Sequence, residues 1–251
     1  MIDLAWIREG LNFNPVDHAP KFIEVSDVTR NDLIVSQKVD FALNTSVLLR
    51  LEQRDRCRRR GIPIKHGMLL SGLYGTGKTL AAKLIANTAV ENGWTVFYLK
   101  DARDFTTAVR LAELYSPSVI FVEDIDRVMA GKRTFKMDQV FNVLDGIDTK
   151  TLELITILTT NNVQVIHPGF LRAGRVDSYV FLDVPGEPEI LRLIERYGVD
   201  KEGQRILHPK ESFAPAAKAL YGLTPAYIAE ALYKARLQAM TTISGMAILS
   251  I

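Results

Sequence analysis

The sequence has little of several features that would narrow its class. Its single cysteine, Cys57, excludes an internal disulfide and a multi-cysteine metal site, and is typical of a reducing compartment. No apolar run approaches the ~18 residues that a membrane-spanning helix needs. The N-terminus carries acids and lacks the basic and apolar regions of a signal peptide. We therefore expect no membrane segment and a cytoplasmic location.

Charge of one sign is not in excess either, because the net charge is only +2. Any affinity for nucleic acid or for a membrane surface would have to come from local clusters. The chain shows no internal repeat, which excludes a solenoid. With 47% apolar and 24% charged residues, the composition is that of a globular protein, and 251 residues can form one large domain with a small second one.

From about residue 68, short apolar runs alternate with helical segments. Near-continuous runs of valine and isoleucine are typical of strands covered by helices on both faces. The alternation predicts an α/β fold with a mostly parallel sheet, whose ligands bind beyond the carboxyl ends of the strands. The five predicted strands are residues 67–72, 95–100, 118–124, 154–161 and 178–184.

The character of the chain changes near residue 187, after which three helical segments follow without a further strand. We predict an N-terminal extension over residues 1–20, an α/β domain over 21–186 and a small helical domain over 187–251. A helix near residues 38–59 should lead into the sheet.

The stretch GLYGTGKT fits the phosphate-loop pattern G-x-x-x-x-G-K-[ST] at every fixed position, between a predicted strand and a predicted helix. Its glycines let backbone N–H groups turn toward phosphate oxygens, and the following helix adds its positive N-terminus. We expect Lys78 to reach the β and γ phosphates of ATP and the Thr79 hydroxyl to bind Mg²⁺. The expected nucleotide contacts are Gly72, Leu73, Tyr74, Gly75, Thr76, Gly77, Lys78, Thr79 and Leu80.

Polar residues follow the next strands of the predicted sheet. Glu123 and Asp124 end the run VIFVED, where acids can hold magnesium and polarise the attacking water, although a solvated strand end would look similar. Asn161 could orient that water, but asparagine there is more often a turn former. Arg172 and Arg175 in LRAGRVD are either solubilising or offered to a neighbour's phosphate.

The order of these motifs resembles the AAA ATPase family, within the AAA+ superfamily, over about residues 22–234. The resemblance implies a helical lid, a ring of six copies with ATP at the subunit boundaries, Asn161 as a sensor and Arg172 and Arg175 as arginine fingers. FIEVSDVTR looks like the adenine-gripping segment, around Asp27 and Val28. VEDID, TTNNV and RAGRVD look closest to the subgroup of the mitochondrial complex III assembly chaperone, which also places glutamate before aspartate.

One departure from the family concerns the pore. Members that thread polypeptide use an aromatic and a glycine between the second and third strands, and this short interval has no aromatic-x-Gly. Phe105 is the aromatic near that place and is at least as consistent with a core position. Two basic stretches, residues 54–61 and 129–138, either hold nucleic-acid phosphates, contact an acidic protein or form solvated surface.

We favour an ATP-driven ring motor that remodels or moves a protein or nucleic-acid partner. The alternative is an ATP-dependent binding switch or loader, in which the Glu-Asp order has weakened hydrolysis. A small-molecule kinase on the same core would act as a monomer, and the paired arginines with the helical domain disfavour it.

Overall fold

A computed structural model gives the backbone of strands 9–13 and 20–24, and describes residues 28–99, 105–129, 152–199 and 213–240, together with residues 134, 137, 138, 140, 141 and 144. The chain divides into two compact units. The first comprises residues 1–33, 38–72 and 78–181, and the second comprises residues 34–37, 73–77 and 182–251.

The sheet contains the five predicted strands, which confirms the α/β fold class, and two further strands at one edge. Its order is β2-β1-β4-β5-β6-β3-β7. The pairs β3–β6, β5–β6 and β4–β5 are parallel, whereas β1 and β2 form an antiparallel hairpin. The strands are β1 Glu9–Phe13, β2 Pro20–Glu24, β3 His66–Gly72, β4 Thr95–Leu99, β5 Ser118–Val122, β6 Leu154–Thr160 and β7 Ser178–Leu182.

The hairpin falls mostly within the predicted N-terminal extension. It joins the sheet through β1, whose Leu11 lies in parallel register with Phe97 of β4. The sequence of β1, EGLNF, contains no continuous apolar run, so the pattern that predicted the inner strands could not detect it.

The inner strands β3, β5 and β6 are buried along their whole length, as their apolar runs predict. Around them the first unit places α1 Gln37–Leu43, α2 Leu49–Glu52, α3 Arg54–Arg59, α4 Lys78–Glu91, α5 Phe105–Leu114 and α6 Asp126–Met129. The predicted helix over residues 38–59 is interrupted by a π-helical turn, Asn44–Leu48, and by Gln53.

Phe105, the aromatic near the expected pore position, is fully buried at the start of α5. It packs in the same apolar core as Phe97, Ile120 and Leu158. The core interpretation of Phe105 is therefore confirmed.

The second unit contains α7 Glu187–Tyr197, α8 Ala214–Ala219 and α9 Pro225–Met240, and its described part after Leu182 contains no strand. Its core joins Ile190 and Ile194 of α7 to Ile228 and Leu232 of α9. No helix among the described residues combines the length and the apolar character needed to cross a membrane.

Candidate nucleotide site

The phosphate loop connects β3, which ends at Gly72, to α4, which begins at Lys78. Gly75 and Gly77 have φ angles of 78° and 100°, a left-handed backbone that glycine adopts without strain. A Cβ atom on Gly75 would lie 2.8 Å from the Cβ of Ala226. The loop is thus closely packed within the second unit, where Ala226 N donates to Gly75 O at 3.1 Å.

Thr224 lies beside the same loop and is buried. Its hydroxyl has no hydrogen-bond partner among the described residues. A buried hydroxyl without a partner is costly, and a bound polar ligand would satisfy it. Together with the left-handed backbone of Gly75 and Gly77, this orphaned hydroxyl fits the binding of a phosphate-bearing nucleotide by the loop.

Lys78 is buried, and its Nζ donates to the carbonyl oxygen of Gly72 at 2.7 Å. Burial lowers the pKa of this ammonium, while the negative charges of Asp124 and Asp126 act in the opposite direction. Thr79 is exposed at the start of α4, and Leu80 is half-buried. Lys78 therefore stands in the electric field of the acids that follow β5.

Glu123 follows β5 directly, and its backbone N–H donates to Leu99 O at 3.2 Å. The hydroxyl of Tyr98 donates a hydrogen bond to the Glu123 carboxylate. Burial, followed by this hydrogen bond and the charge of Glu123, raises the pKa of Tyr98. The Tyr98 ring stacks on Phe121 with 5.3 Å between ring centroids, which fixes where its hydroxyl points.

Asp124 is held from three sides in a left-handed conformation, with φ of 48°. Its N–H donates to Thr159 Oγ1 at 3.1 Å, and its Oδ1 accepts from Asn161 Nδ2 at 3.0 Å. Its Oδ2 accepts from a guanidinium nitrogen of Arg127 at 2.7 Å. The structure therefore brings together the predicted pair Asp124 and Asn161.

The two predicted arginine fingers occupy different environments. Arg172 is exposed. Arg175 is buried, donates to the carbonyl oxygen of Gly169, and places its guanidinium 4.2 Å from the ring centroid of Phe141. In this structure the Arg175 side chain is therefore held within its own chain by a cation–π contact and a hydrogen bond.

The oxygen atoms of Thr79, Glu123 and Asp124 are the hard donors that Mg²⁺ prefers. Among the described residues there is no cluster of three histidine, cysteine or acidic side chains that could hold a metal by itself. Magnesium that arrives with a nucleotide needs only one or two carboxylates, because phosphates and waters complete its shell. The donor set therefore fits a magnesium–nucleotide complex.

Of the proposed adenine contacts, Asp27 lies outside the described residues. Val28 is described, and its carbonyl oxygen accepts from Asn87 Nδ2 at 3.3 Å. The basic residues and Phe135 of the stretch 129–138 also lie outside the described part. In the other basic stretch, Arg58 pairs with Glu153 and Asp55, and Arg54 lies 3.9 Å from Glu153.

Two residues that donate hydrogen bonds to the carboxylates of the acidic pair, Arg127 and Tyr98, were not among the predicted site residues. Arg127 could have been found from its spacing, because a residue three positions after Asp124 lies on the same turn. Tyr98 required the strand register, which pairs it with Phe121 across β4 and β5. A strand pattern alone does not give that register.

Residues 68–184 match the family model described as "ATPase family associated with various cellular activities (AAA)". The 26S proteasome regulatory subunit 4 homolog of Encephalitozoon cuniculi is 30% identical over 197 residues, which cover 71% of this chain and 46% of that protein. ATP-dependent zinc metalloprotease FtsH 1 of Symbiobacterium thermophilum is 31% identical over 215 residues, covering 76% of this chain and 34% of that protein.

A third relative, from Arabidopsis thaliana, is named probable inactive ATP-dependent zinc metalloprotease FTSHI 2, chloroplastic. It is 34% identical over 151 residues, which cover 51% of this chain and 17% of that protein. The chain spans less than half the length of each of these three relatives.

Proposed function

Since this chain carries a domain of the AAA family of ATPases over residues 68–184, we propose that it binds ATP with Mg²⁺ and hydrolyses the γ-phosphate. The observation that carries the proposal is the convergence of functional groups at one edge of the sheet. Gly72 ends β3, Asp124 follows β5 and Asn161 follows β6, and these three strands are adjacent and parallel. At the same edge, the negative charge of Asp124 acts on Lys78 and favours its charged form.

In the proposed reaction, the backbone of residues 72–79 binds the phosphates, and Lys78 offsets the charge of the β and γ groups. Thr79, Glu123 and Asp124 are the residues that would hold Mg²⁺, which when bound offsets phosphate charge. Asn161 orients the attacking water toward Asp124. The water oxygen forms a bond to the γ-phosphorus, while the bond between the γ-phosphorus and the bridging oxygen breaks and ADP leaves. The water proton passes to Asp124 and then to the released phosphate.

We further propose that the chain assembles into a ring, six copies in the resembled family, and that Arg172 completes the site of a neighbouring copy. Its exposure supports this role, whereas the contacts of Arg175 with Gly169 and Phe141 must open before that residue could reach out. Hydrolysis at these boundaries would drive remodelling of a macromolecular partner. The order of Glu123 and Asp124 supports the subgroup of the complex III assembly chaperone.

A second candidate is an ATP-dependent switch with low turnover. It is favoured by one observation, namely that both oxygens of Asp124 already accept hydrogen bonds from side chains of the same chain. Steady-state hydrolysis measured on the assembled protein separates the two functions. Turnover near zero with tight ATP binding would identify the switch.

The acidic pair gives the sharpest test of the proposed hydrolysis. We expect Asp124→Asn to keep ATP binding and lose at least about 100-fold in kcat, because the amide cannot accept the water proton. Glu123→Gln should instead weaken the dependence of the rate on Mg²⁺. Binding is measured with a fluorescent ATP analogue and turnover by phosphate release.

Asp183→Asn serves as the control, because this exposed aspartate accepts a hydrogen bond from Val184 N and follows β7 at the edge of the sheet. It should hydrolyse ATP at the wild-type rate. Wild-type turnover by Asp124→Asn would show that another group accepts the proton.

A further inference from the structure

We infer that Arg127 is a positioning residue that holds the Asp124 carboxylate in the orientation needed for water attack. This inference rests on the proposed hydrolysis and assigns a role to a residue that none of the predicted motifs includes. Arg127 lies on α6, one turn after Asp124, so both residues are fixed by the same short segment of backbone.

The contact between the two residues is double. The Arg127 guanidinium donates to Asp124 Oδ2 at 2.7 Å, and the Arg127 backbone N–H donates to the Asp124 carbonyl oxygen at 3.0 Å. At 2.7 Å, this hydrogen bond lies at the short end of the range for two charged groups. The turn therefore fixes the side chain of Asp124 as well as its backbone.

The remaining anchors leave one degree of freedom that Arg127 removes. Thr159 holds the backbone of Asp124 and Asn161 holds Oδ1, but neither contacts Oδ2. With Asn161 alone, the carboxylate could turn about its bond to Cβ, since that torsion is broad in aspartate. Arg127 closes the second side and so fixes the plane of the carboxylate.

This restraint matters because aspartate is one methylene shorter than glutamate. A short acid cannot adjust its reach by rotating further bonds, so its orientation depends on the groups that hold it. A displacement of about 1 Å in a reacting group lowers rates by up to about 100-fold. The inverted order of the acidic pair thus requires a support for Asp124, and Arg127 supplies one.

The pair is placed where it should affect catalysis more than stability. The Arg127 side chain is 74% exposed and that of Asp124 is 28% exposed. Exposed ion pairs contribute little to folding, so removal of the guanidinium should leave the fold intact. The pair formed by Arg58 and Asp55 has the same spacing, with 53% and 67% exposed side chains, and lies outside the candidate site.

The test compares Arg127→Ala, Arg127→Lys, Asp124→Asn and the double variant of Arg127→Ala with Asp124→Asn in the full chain. We expect Arg127→Ala to lower kcat about 10-fold while KM for ATP changes less than about two-fold, because substrate binding does not use Arg127. Arg127→Lys, which keeps a cation, should recover most of the rate. In the Asp124→Asn background, Arg127→Ala should change the residual rate less than about two-fold, since Arg127 acts through Asp124.

Asp55→Ala is the matched control, because it removes an exposed arginine–aspartate pair of the same spacing and should leave kcat unchanged. Thermal unfolding of each variant shows whether the fold is intact. An unchanged or raised kcat in Arg127→Ala, no recovery with lysine, or a full 10-fold effect in the Asp124→Asn background would each overturn the role of Arg127. Absence of hydrolysis in the wild type would overturn the proposed function, and this inference with it.

Discussion

Glu123 and Asp124 are neighbours in sequence but have different kinds of partner. Glu123 accepts from the neutral hydroxyl of Tyr98, whereas Asp124 accepts from the cation of Arg127 and the amide of Asn161. The aspartate is thus oriented by two side chains and the glutamate by one. This asymmetry supports a division in which Asp124 handles the water and Glu123 handles the metal.

His66 gives a prediction about stability and pH. Burial, together with the positive charge of Arg50, lowers the pKa of His66 from 6.5 to about 4, and the negative charge of Asp177 opposes this shift only in part. Its Nε2 lies 2.9 Å from Ser178 Oγ. Because the unfolded chain binds this proton more readily, the stability present above pH 6.5 is lost as the pH falls toward 4.

The loss in unfolding free energy from His66 should be at most about 3 kcal/mol across that range. Urea unfolding at several pH values measures it, and His66→Gln should flatten the dependence between about pH 6.5 and pH 4. An equally steep curve in His66→Gln would show that other groups cause the acid sensitivity.

At the scale of elements, hydrogen bonds join β3 to the loop of residues 172–177, which contains Arg172 and Arg175. Gly67 N donates to Asp177 Oδ2 at 2.8 Å, Asp177 N donates to Gly67 O at 2.8 Å, and Gly174 N donates to Asp177 Oδ1 at 2.9 Å. A Cβ atom on Gly67 would lie 2.0 Å from the carbonyl oxygen of Arg175. The loop can approach the strand only because residue 67 has no side chain.

Gly67→Ala should therefore destabilise the protein by about 2–3 kcal/mol, because two backbones must separate to admit the methyl group. Gly61→Ala is the comparison. Gly61 has a φ of 66° and no atom within 4 Å of an added Cβ, so only the backbone strain of about 1–2 kcal/mol applies. Chemical unfolding measures both variants. Equal losses of unfolding free energy in the two variants would mean that β3 and the loop of residues 172–177 separate without an energetic cost.

The elements of the fold differ in how far the sequence predicts them. The inner strands were predictable because two covered faces require apolar residues at every position, as in β5, SVIFV. The edge hairpin was not predictable, because the sequence of β1, EGLNF, has no apolar run. This strand joins the sheet through backbone pairing with β4. The break in the helix over residues 38–59 depends on a local π-helical turn that periodicity does not show.

At the candidate site, the phosphate loop and the polar ends of β5 and β6 followed from the sequence, because each sits at a fixed place relative to a strand. The environment of Arg175 did not follow, since Phe141 and Gly169 hold it through contacts between separate segments. A sequence motif does not determine whether its arginine side chain points toward solvent or into the chain. Its direction is set by packing.

For the whole molecule, the buried position of Phe105 and the short interval between β4 and β5 bear on how a ring would act. A fully buried aromatic cannot grip a chain in a pore, so Phe105 does not supply the threading contact of the resembled family. We therefore expect the proposed motor to engage its partner through residues other than Phe105. The boundary between subunits, where Arg172 is proposed to act, can be tested without knowing that partner.

Donation of Arg172 across that boundary predicts that two inactive variants will complement each other. Lys78→Ala should lose ATP binding but still offer Arg172, whereas Arg172→Ala should bind ATP but offer no arginine to its neighbour. In a random mixture of equal amounts, about one boundary in four joins an intact phosphate loop to an intact arginine, so about a quarter of the wild-type rate should return.

Phosphate release is measured on each variant alone and on their mixture. Arg110→Ala, which changes an exposed arginine on α5, is the control and should be fully active by itself. A mixture no faster than the mean of its two components would show that Arg172 does not serve a neighbouring site.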